Sequence, residues 1–384
     1  MALVLEPLEQ LPPGVERAVG AKAPAPLKMM AARGLAPMPP GELVTALYQL
    51  TFVEDEAIKS AAYKTATELP EKMLGGALEG ALDARVLDFF ARRVFAKPAL
   101  LEKVLLNRAT ADETFAHLAG LVDENALEMI AKNEERLLRH PQIIAALYMN
   151  PKTRMSTAQR ALELAVRNQV RVDGIPAFDE ASRTIRQSGG IDPVEAANDD
   201  EAFARAAEVA VDQTAALQLV AVDEEEAARQ AELDAAEAEK AVEAPGVVEE
   251  EKKKKISDLS PAAKIRLATL GNAFARAVLI RDTNRLVSMA AIRSPGVSPM
   301  EVIRYATNRA LDDDIIRYIA GQRQWVRLSS VKIALCNNPK CPLPVAMRFL
   351  PHLNARDLKL LARSKGIPSA LSTAAKQLLQ QRNQ

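Results

Sequence analysis

The sequence predicts an all-α protein built as an α-solenoid, in which antiparallel helix pairs of about 40 residues stack in two blocks. Hydrophobic residues make up 48% of the chain and aromatic residues only 4%, a balance that favours helices packed through small and aliphatic side chains. Leu43, Leu47 and Leu50 have the spacing of a buried helical face. A stretch that begins at Asn150 also recurs at Asn338, which indicates a repeated helical unit.

The repeated stretch extends beyond its first three residues. Both copies begin with Asn-Pro-Lys, and at an offset of 188 they continue with matching pairs. These pairs are Met155 and Leu343, Ala158 and Ala346, Arg160 and Arg348, and Leu162 and Leu350. Pro cannot continue a helix, and Asn tolerates the left-handed conformation that ends one. The motif therefore predicts a turn between helices.

Residues 1–168 divide into a leader and a first helical block. Residues 1–41 are rich in Pro and Gly and predict a poorly ordered leader with one short helix near Leu27–Arg33. Residues 42–168 carry successive helical faces separated by short breaks. Asn107 and Asn150 lie 43 residues apart at two of these breaks, which supports the predicted repeat length.

Residues 169–259 predict an acidic linker that is partly helical or disordered, with a short helix around Asp179–Arg186. Ala202–Val222 is compatible with an amphipathic helix, whereas Asp223–Lys240 has few apolar residues to bury. At residue 260 a Ser followed by Pro predicts a helix start, and the second block spans 260–384.

The net charge of zero conceals a strong separation of charge. Residues 199–251 carry 17 acidic and 3 basic side chains, whereas residues 252–384 carry 7 acidic and 24 basic ones. Opposite charge blocks in adjacent segments suggest the hypothesis that the acidic segment folds back onto the basic block and shields it.

The alternation of short helices and Asn-Pro-Lys turns resembles HEAT-like repeats and the helical repeats of the leucine-rich-repeat-variant type. Residues 260–384 are also similar to an uncharacterised group of bacterial helical-repeat proteins. The residues that carry this resemblance are Leu270–Asn272, Leu279–Asp282, Asn284–Leu286, Asn338–Lys340, Asp357–Lys359 and Leu361–Ser364. The resemblance implies a fold and no particular activity.

Catalytic and metal-binding motifs are absent from the sequence. There is no phosphate-binding loop, no His-Glu-x-x-His and no Gly-x-Ser-x-Gly, so we expect a protein that is not an enzyme and takes no cofactor. Cys336 and Cys341 flank a predicted turn, but no second ligand pair follows them at metal-binding spacing. His117, His140 and His352 are expected to fill core or surface positions.

The composition also indicates a compartment. Two Cys residues are too few for a disulfide framework, the N-terminal residues do not resemble a signal peptide, and no run of about 18 apolar residues predicts a membrane span. We therefore expect a cytoplasmic protein without a membrane span.

The basic second block carries most of the candidate binding residues. Cations recur from Arg276 to Lys376 and would attract an acidic protein segment or a phosphate backbone, although a solvated helical surface looks the same in sequence. Aromatic side chains that could stack on bases are sparse there. The candidate partner-binding residues are Lys152, Arg160, Arg304, Arg317, Lys340, Arg348, Arg356, Lys359 and Arg363.

Taken together, these features predict a protein–protein interaction scaffold or adaptor that uses a helical-repeat surface, because repeat arrays present extended surfaces to partners. The alternative is a nucleic-acid-associated protein that binds phosphates through the basic block.

Overall fold

The computed structural model describes residues 3–188, 193–210, 253, 255–364 and 366–382. Helices are the only regular elements in these residues, and the described ranges contain no β-strand. The predicted all-α fold class is therefore confirmed. The chain divides into two compact units, Met1–Ile175 and Pro176–Gln384.

The helices of the first unit are 6 to 13 residues long. They are α1 (Pro13–Val19), α2 (Ala25–Ala32), α3 (Pro40–Leu50), α4 (Glu56–Glu68), α5 (Glu71–Leu78), α6 (Ala84–Val94), α7 (Pro98–Leu106), α8 (Asp112–Ala119), α9 (Glu124–Ala131), α10 (Glu134–Arg139), α11 (Gln142–Met149) and α12 (Met155–Arg167). Several begin at an acidic N-cap, as at Asp55 and Asp83, whose carboxylates accept hydrogen bonds from backbone N–H groups of the first turn.

In the first unit, helices pack mainly on the second helix along the chain. Helix α1 packs on α3, α3 on α5, and α5 on α7, while α2 packs on α4 and α6 on α8. The odd-numbered helices from α1 to α11 therefore form a continuous row, as expected where helix pairs stack. The regular order is interrupted where α8 packs on α11.

The N-terminal residues belong to this packing. Helices α1 and α2 both contact α3 and bury Val15, Ala31 and Ala32. The hydroxyl of Tyr48 donates a hydrogen bond to the carbonyl of Glu6 at 2.6 Å. The expectation of a poorly ordered leader over residues 1–41 therefore needs correction, because apolar residues between its prolines are numerous enough to cover α3. The short helix expected near Leu27–Arg33 corresponds to α2.

The second unit continues with helices of 7 to 18 residues. They are α13 (Phe178–Ser188), α14 (Pro193–Ala210), α15 (Pro261–Leu270), α16 (Ala273–Leu279), α17 (Arg285–Arg293), α18 (Pro299–Thr307), α19 (Asp313–Gly321), α20 (Ser329–Asn337), α21 (Leu343–Phe349), α22 (Ala355–Arg363) and α23 (Ser369–Arg382), with a 3₁₀ turn at Leu350–His352. Helix α15 starts with Pro, and Ser260 caps it, as the sequence predicts.

From α15 onward, several helices again pack on the second helix along the chain. Helix α15 packs on α17 and α17 on α19, while α18 packs on α20 and α20 on α22. Successive odd-numbered helices begin 24 to 30 residues apart, which corrects the predicted repeat length of about 40 residues. The landmarks Ser294 and Asn338 are 44 residues apart because one ends an odd-numbered helix and the other an even-numbered helix.

The boundary between the units, after Ile175, lies near the start of the predicted 169–259 linker. Helices α13 and α14 both pack on α15. A carboxylate oxygen of Glu180 lies 3.2 Å from the Arg293 guanidinium, and the guanidinium of the fully buried Arg266 lies 4.6 Å from the centre of the Phe203 ring. Residues 176–188 and 193–210, predicted as part of the 169–259 linker, therefore belong to the second unit.

Much of the acidic segment lies outside the described residues, which omit 211–252. The prediction for Asp223–Lys240 and the hypothesis that the acidic segment folds back fall mainly on this range. Near the start of the segment, Asp199 accepts a hydrogen bond from the Ser260 hydroxyl at 2.5 Å.

Candidate functional site

The repeated Asn residues hold neighbouring helix ends together. The Asn338 side-chain amide donates to the carbonyls of Ala306, at 2.8 Å, and Asn308, at 3.2 Å. Its carbonyl oxygen accepts from the backbone N–H of Lys340 at 3.0 Å. Asn338 is only 2% exposed, so these bonds satisfy the side-chain amide and carbonyl groups that water cannot reach.

The same arrangement occurs in the first unit. The Asn150 amide donates to the carbonyls of Ala119 and Val122, at 2.8 and 3.4 Å, and Asn150 accepts from the Lys152 backbone N–H at 2.9 Å. Both Asn150 and Asn338 have extended backbones, with φ of −82° and −92°. The left-handed conformation suggested by the sequence is therefore not used, and Asn is needed here for its two-sided hydrogen bonding.

Two further turns have the same design. The Asn107 amide donates to the carbonyls of Leu78 and Gly80, at 2.7 and 2.9 Å. The Ser294 hydroxyl donates to the Thr269 carbonyl at 3.3 Å. These clamps join the ends of helices that pack side by side, so the repeated chemistry of the turn is a property of the scaffold.

The two Lys residues of the turns differ. Lys152 is exposed and makes no ion pair with a described residue. The Lys340 ammonium donates to the Leu311 carbonyl at 2.5 Å and lies 3.6 Å from a carboxylate oxygen of Asp313. Lys340 lines an open polar cavity of about 390 Å³ beside Arg285, whose guanidinium pairs with Asp314. The cations of this cavity are largely neutralised by adjacent acids.

Four of the candidate cations lie on one layer of the second unit. They are Arg304 on α18 and Arg356, Lys359 and Arg363 on α22, and all four are exposed. None of the four forms an ion pair with a described carboxylate. Lys332 on α20, the helix between them, is half-buried. We call the exposed surface of α18, α20 and α22 the even-helix face.

The remaining candidates lie elsewhere. Arg317 and Arg348 are exposed on the odd-numbered helices α19 and α21. In the first unit, Arg160 lies 3.4 Å from a carboxylate oxygen of Glu128. The structure therefore distributes the predicted basic surface over both layers and both units, and brings only part of it together.

Most acidic side chains described in the second unit lie outside helices α18, α20 and α22. Asp282 pairs with Lys264 at 3.0 Å, and Asp312 caps the N-terminus of α19. The acids on α18, α20 and α22 are the buried Glu301 and the half-buried Asp357 in the first turn of α22. Among the described residues, the exposed cations of this face therefore have no carboxylate in ion-pair contact and give the face a positive charge.

One Arg that the sequence placed in the basic surface is buried. Arg276 forms two hydrogen bonds with Glu301, at 2.9 and 2.8 Å, and both side chains are 7% exposed. Burial alone would raise the pKa of Glu301, but the bonds from Arg276 and from the Ser298 backbone N–H outweigh it and lower that pKa. This pair joins α16 to α18, and the spacing of 25 residues gave no sequence signal for it.

Apolar side chains lie among the cations of the even-helix face. Leu360 is 61% exposed between Lys359 and Arg363 along the chain. Ile303 and Ile333 are half-buried on α18 and α20. No aromatic side chain in the described residues of the second unit is exposed. The face therefore combines positive charge with aliphatic surface.

The residues considered for metal binding or catalysis are not brought together. No cluster of three or more His, Cys, Asp or Glu suited to a metal ion occurs in the described part of the chain. Burial raises the pKa of Cys336 to about 12 and that of Cys341 to about 11, so both thiols are protonated at neutral pH. His117 lines a cavity of about 350 Å³ in the first unit, and burial lowers its pKa.

The chain matches no family model, no curated protein and no solved structure. Among the described helices, none has the length and apolar character needed to cross a membrane.

Proposed function

We propose that this protein is a non-enzymatic interaction scaffold that binds another protein through its helical surfaces. The observation that carries the proposal is the even-helix face of the second unit, where exposed cations lack acidic partners among the described residues. Within the second unit, helices clamped at their ends, as at Asn338, support this surface. The resemblance to HEAT-like and leucine-rich-repeat-variant proteins supports the same proposal.

The second candidate function is binding of nucleic acid through phosphate contacts. The exposed side chains of Arg304, Arg356 and Arg363 favour it, because guanidinium groups bind phosphates well. No described aromatic side chain of the second unit is exposed, which disfavours single-stranded binding, because that mode relies on exposed rings that stack on bases. We therefore place protein binding first.

We propose the cytoplasm as the site of action. Cys336 and Cys341 are both free, although they lie five residues apart in the chain, and free thiols are typical of a reducing compartment.

The test is retention of a specific protein by the full chain at physiological salt. The immobilised chain is exposed to nuclease-treated and untreated extracts of the source cells, and retained proteins are identified, produced separately and titrated calorimetrically. A retained protein that binds with fixed stoichiometry in purified form supports the scaffold. Loss of all retained material after nuclease treatment would favour the nucleic-acid function, and the absence of any saturable partner would contradict both.

A further inference from the structure

The even-helix face has the chemistry of a docking surface for a charged, partly apolar ligand. Exposed Arg356, Lys359 and Arg363 share α22 with the exposed Leu360, and the exposed Arg304 lies on α18 of the same face. Cations of this kind attract carboxylates or phosphates, whereas an exposed Leu on α22 and half-buried Ile side chains on α18 and α20 favour an aliphatic contact. One ligand that satisfies both requirements carries acids and apolar side chains on a single face.

The dimensions of the face suit a short helix. Helices α18, α20 and α22 are successive neighbours in one layer. Because packed helices lie about 8–10 Å apart, three of them span roughly 20 Å between the outer axes. A helix of about 14 residues has this length, since each residue adds about 1.5 Å. Helices bound in grooves are recognised by apolar anchors at the spacing of one helical face.

The same features argue against nucleic acid as the ligand of this face. Aliphatic Leu360, Ile303 and Ile333 contribute nothing to phosphate binding and cannot stack on bases as aromatic rings do. Burying them requires an apolar partner surface, which a protein helix supplies.

We infer that the even-helix face binds an acidic amphipathic helix of a partner protein. Carboxylates of that helix pair with Arg356, Lys359, Arg363 and Arg304, and its apolar stripe covers Leu360. This inference rests on the proposed scaffold function and specifies the surface and the partner chemistry that the function requires.

The first experiment uses the full chain and two labelled synthetic peptides of about 14 residues. One peptide has Glu side chains flanking a helical stripe of Leu, and the other has the same composition in an order that destroys the stripe. We expect the striped peptide to bind in the micromolar range by fluorescence anisotropy at physiological salt and the scrambled peptide to bind at least roughly ten-fold more weakly. Equal affinity for both peptides, or no binding of either, would overturn the inference.

The second experiment locates the bound peptide. Replacement of Arg356, Lys359 and Arg363 with Gln is expected to weaken the striped peptide about ten-fold, because three exposed charge contacts are lost. These side chains are exposed, so thermal unfolding of the variant should match that of the wild type. An unchanged peptide affinity in this variant would overturn the assignment of the face.

A matched control removes the same charge from the other layer. Replacement of Arg317, Arg348 and Lys376 with Gln neutralises three exposed cations on odd-numbered helices. We expect this variant to bind the striped peptide with an affinity within about two-fold of the wild type, because long-range charge effects are screened at physiological salt. An equal loss of affinity for the striped peptide in both triple variants would show that the peptide is held by non-specific charge attraction and would contradict the inference.

Leu360→Ser distinguishes the peptide from a phosphate ligand. It is expected to weaken the striped peptide about five-fold and to leave binding of a duplex DNA or RNA oligonucleotide unchanged, because only the peptide covers the Leu. The face would be assigned to nucleic acid if two results were obtained. The oligonucleotide would have to bind more tightly than the peptide, and replacement of Arg356, Lys359 and Arg363 with Gln (the α22 triple variant) would have to abolish oligonucleotide binding. If the striped peptide bound only after deletion of residues 223–251, the face would belong to the chain's own acidic segment.

The two proposals can fail separately. A captured partner that binds the wild type and the α22 triple variant equally would overturn the even-helix face as the docking surface and leave the scaffold function supported through another surface. Failure to capture any partner, together with peptide binding as expected, would contradict the scaffold function alone.

Discussion

The Asn338 clamp gives the most direct test of how the second unit is held together. Asn338→Ala removes the donors to the Ala306 and Asn308 carbonyls and the acceptor for the Lys340 N–H. The Ala306 carbonyl belongs to a fully buried residue and is left without this partner, whereas Asn308 and Lys340 are half-buried and water can compensate in part. At about 1 kcal/mol for each net hydrogen bond, the expected loss is about 2–3 kcal/mol in the free energy of unfolding.

The single Trp of the chain provides the assay. Trp325 is 9% exposed and lies in the second unit, 5.9 Å from the ring of Tyr318, so its fluorescence follows unfolding of that unit. With a urea dependence of about 2 kcal/mol per molar, the midpoint of the Asn338→Ala variant should fall by about 1 M. Asn338→Asp keeps the acceptor and loses the donors, so it should be at least as destabilised.

The neighbouring Asn supplies the control. Asn337 is half-buried, and its amide donates only to the Ile333 carbonyl of its own helix, at 3.1 Å. Asn337→Ala should therefore change the free energy of unfolding by no more than about 0.5 kcal/mol. If Asn337→Ala and Asn338→Ala shifted the Trp325 transition equally, or if Asn338→Asp were as stable as the wild type, the clamp would not have the energetic role assigned to it.

Three further predictions concern buried groups of the second unit. Arg276→Ala leaves the buried Glu301 unpaired and should lower stability by about 3–5 kcal/mol in the Trp325 assay; a loss below 1 kcal/mol would contradict this. Because the pKa of Glu301 is lowered in the folded state, its stabilisation is complete above the ordinary carboxyl pKa and is lost as the pH falls through the folded value, so Glu301→Gln should flatten the acid side of the stability profile. Cys336 and Cys341 should react with a thiol reagent at pH 8 only after urea is added, and rapid native labelling would refute their burial.

The fold class was accessible from sequence because it depends on local patterns. Apolar spacing over residues such as Leu43 to Leu50, and turns such as that at Asn150, are properties of consecutive residues. The repeat length was not accessible in the same way. Landmarks at Ser294 and Asn338 look equivalent in sequence but end helices of different layers, and only the packing separates them.

The contributions of residues 3–41, 176–188 and 193–210 were missed for a related reason. Frequent Pro, or frequent acid, suggests disorder when a segment is considered alone. In the structure these residues cover apolar surface that other helices already present: Val15 and Ala32 are buried in the first unit, and Phe203 is buried near Arg266 in the second. Tertiary burial outweighs local composition in both places.

The candidate surface could be predicted only in part, because free and paired cations look alike in sequence. Arg276 and Arg304 both lie in short helices of the basic block. Arg276 is buried against Glu301, whereas Arg304 is exposed. What separates them is the position of a carboxylate 25 residues away, which no local spacing encodes.

The zero net charge of the chain does not make the even-helix face neutral. At physiological ionic strength, exposed charges are largely screened beyond about 8 Å, so the potential over a surface depends on its immediate neighbours. Arg304 and the three cations of α22 have no acidic ion-pair partner among the described residues. The 17 acids of residues 199–251 could neutralise them only from within that distance. Local charge, and not the total, therefore determines which partner this face attracts.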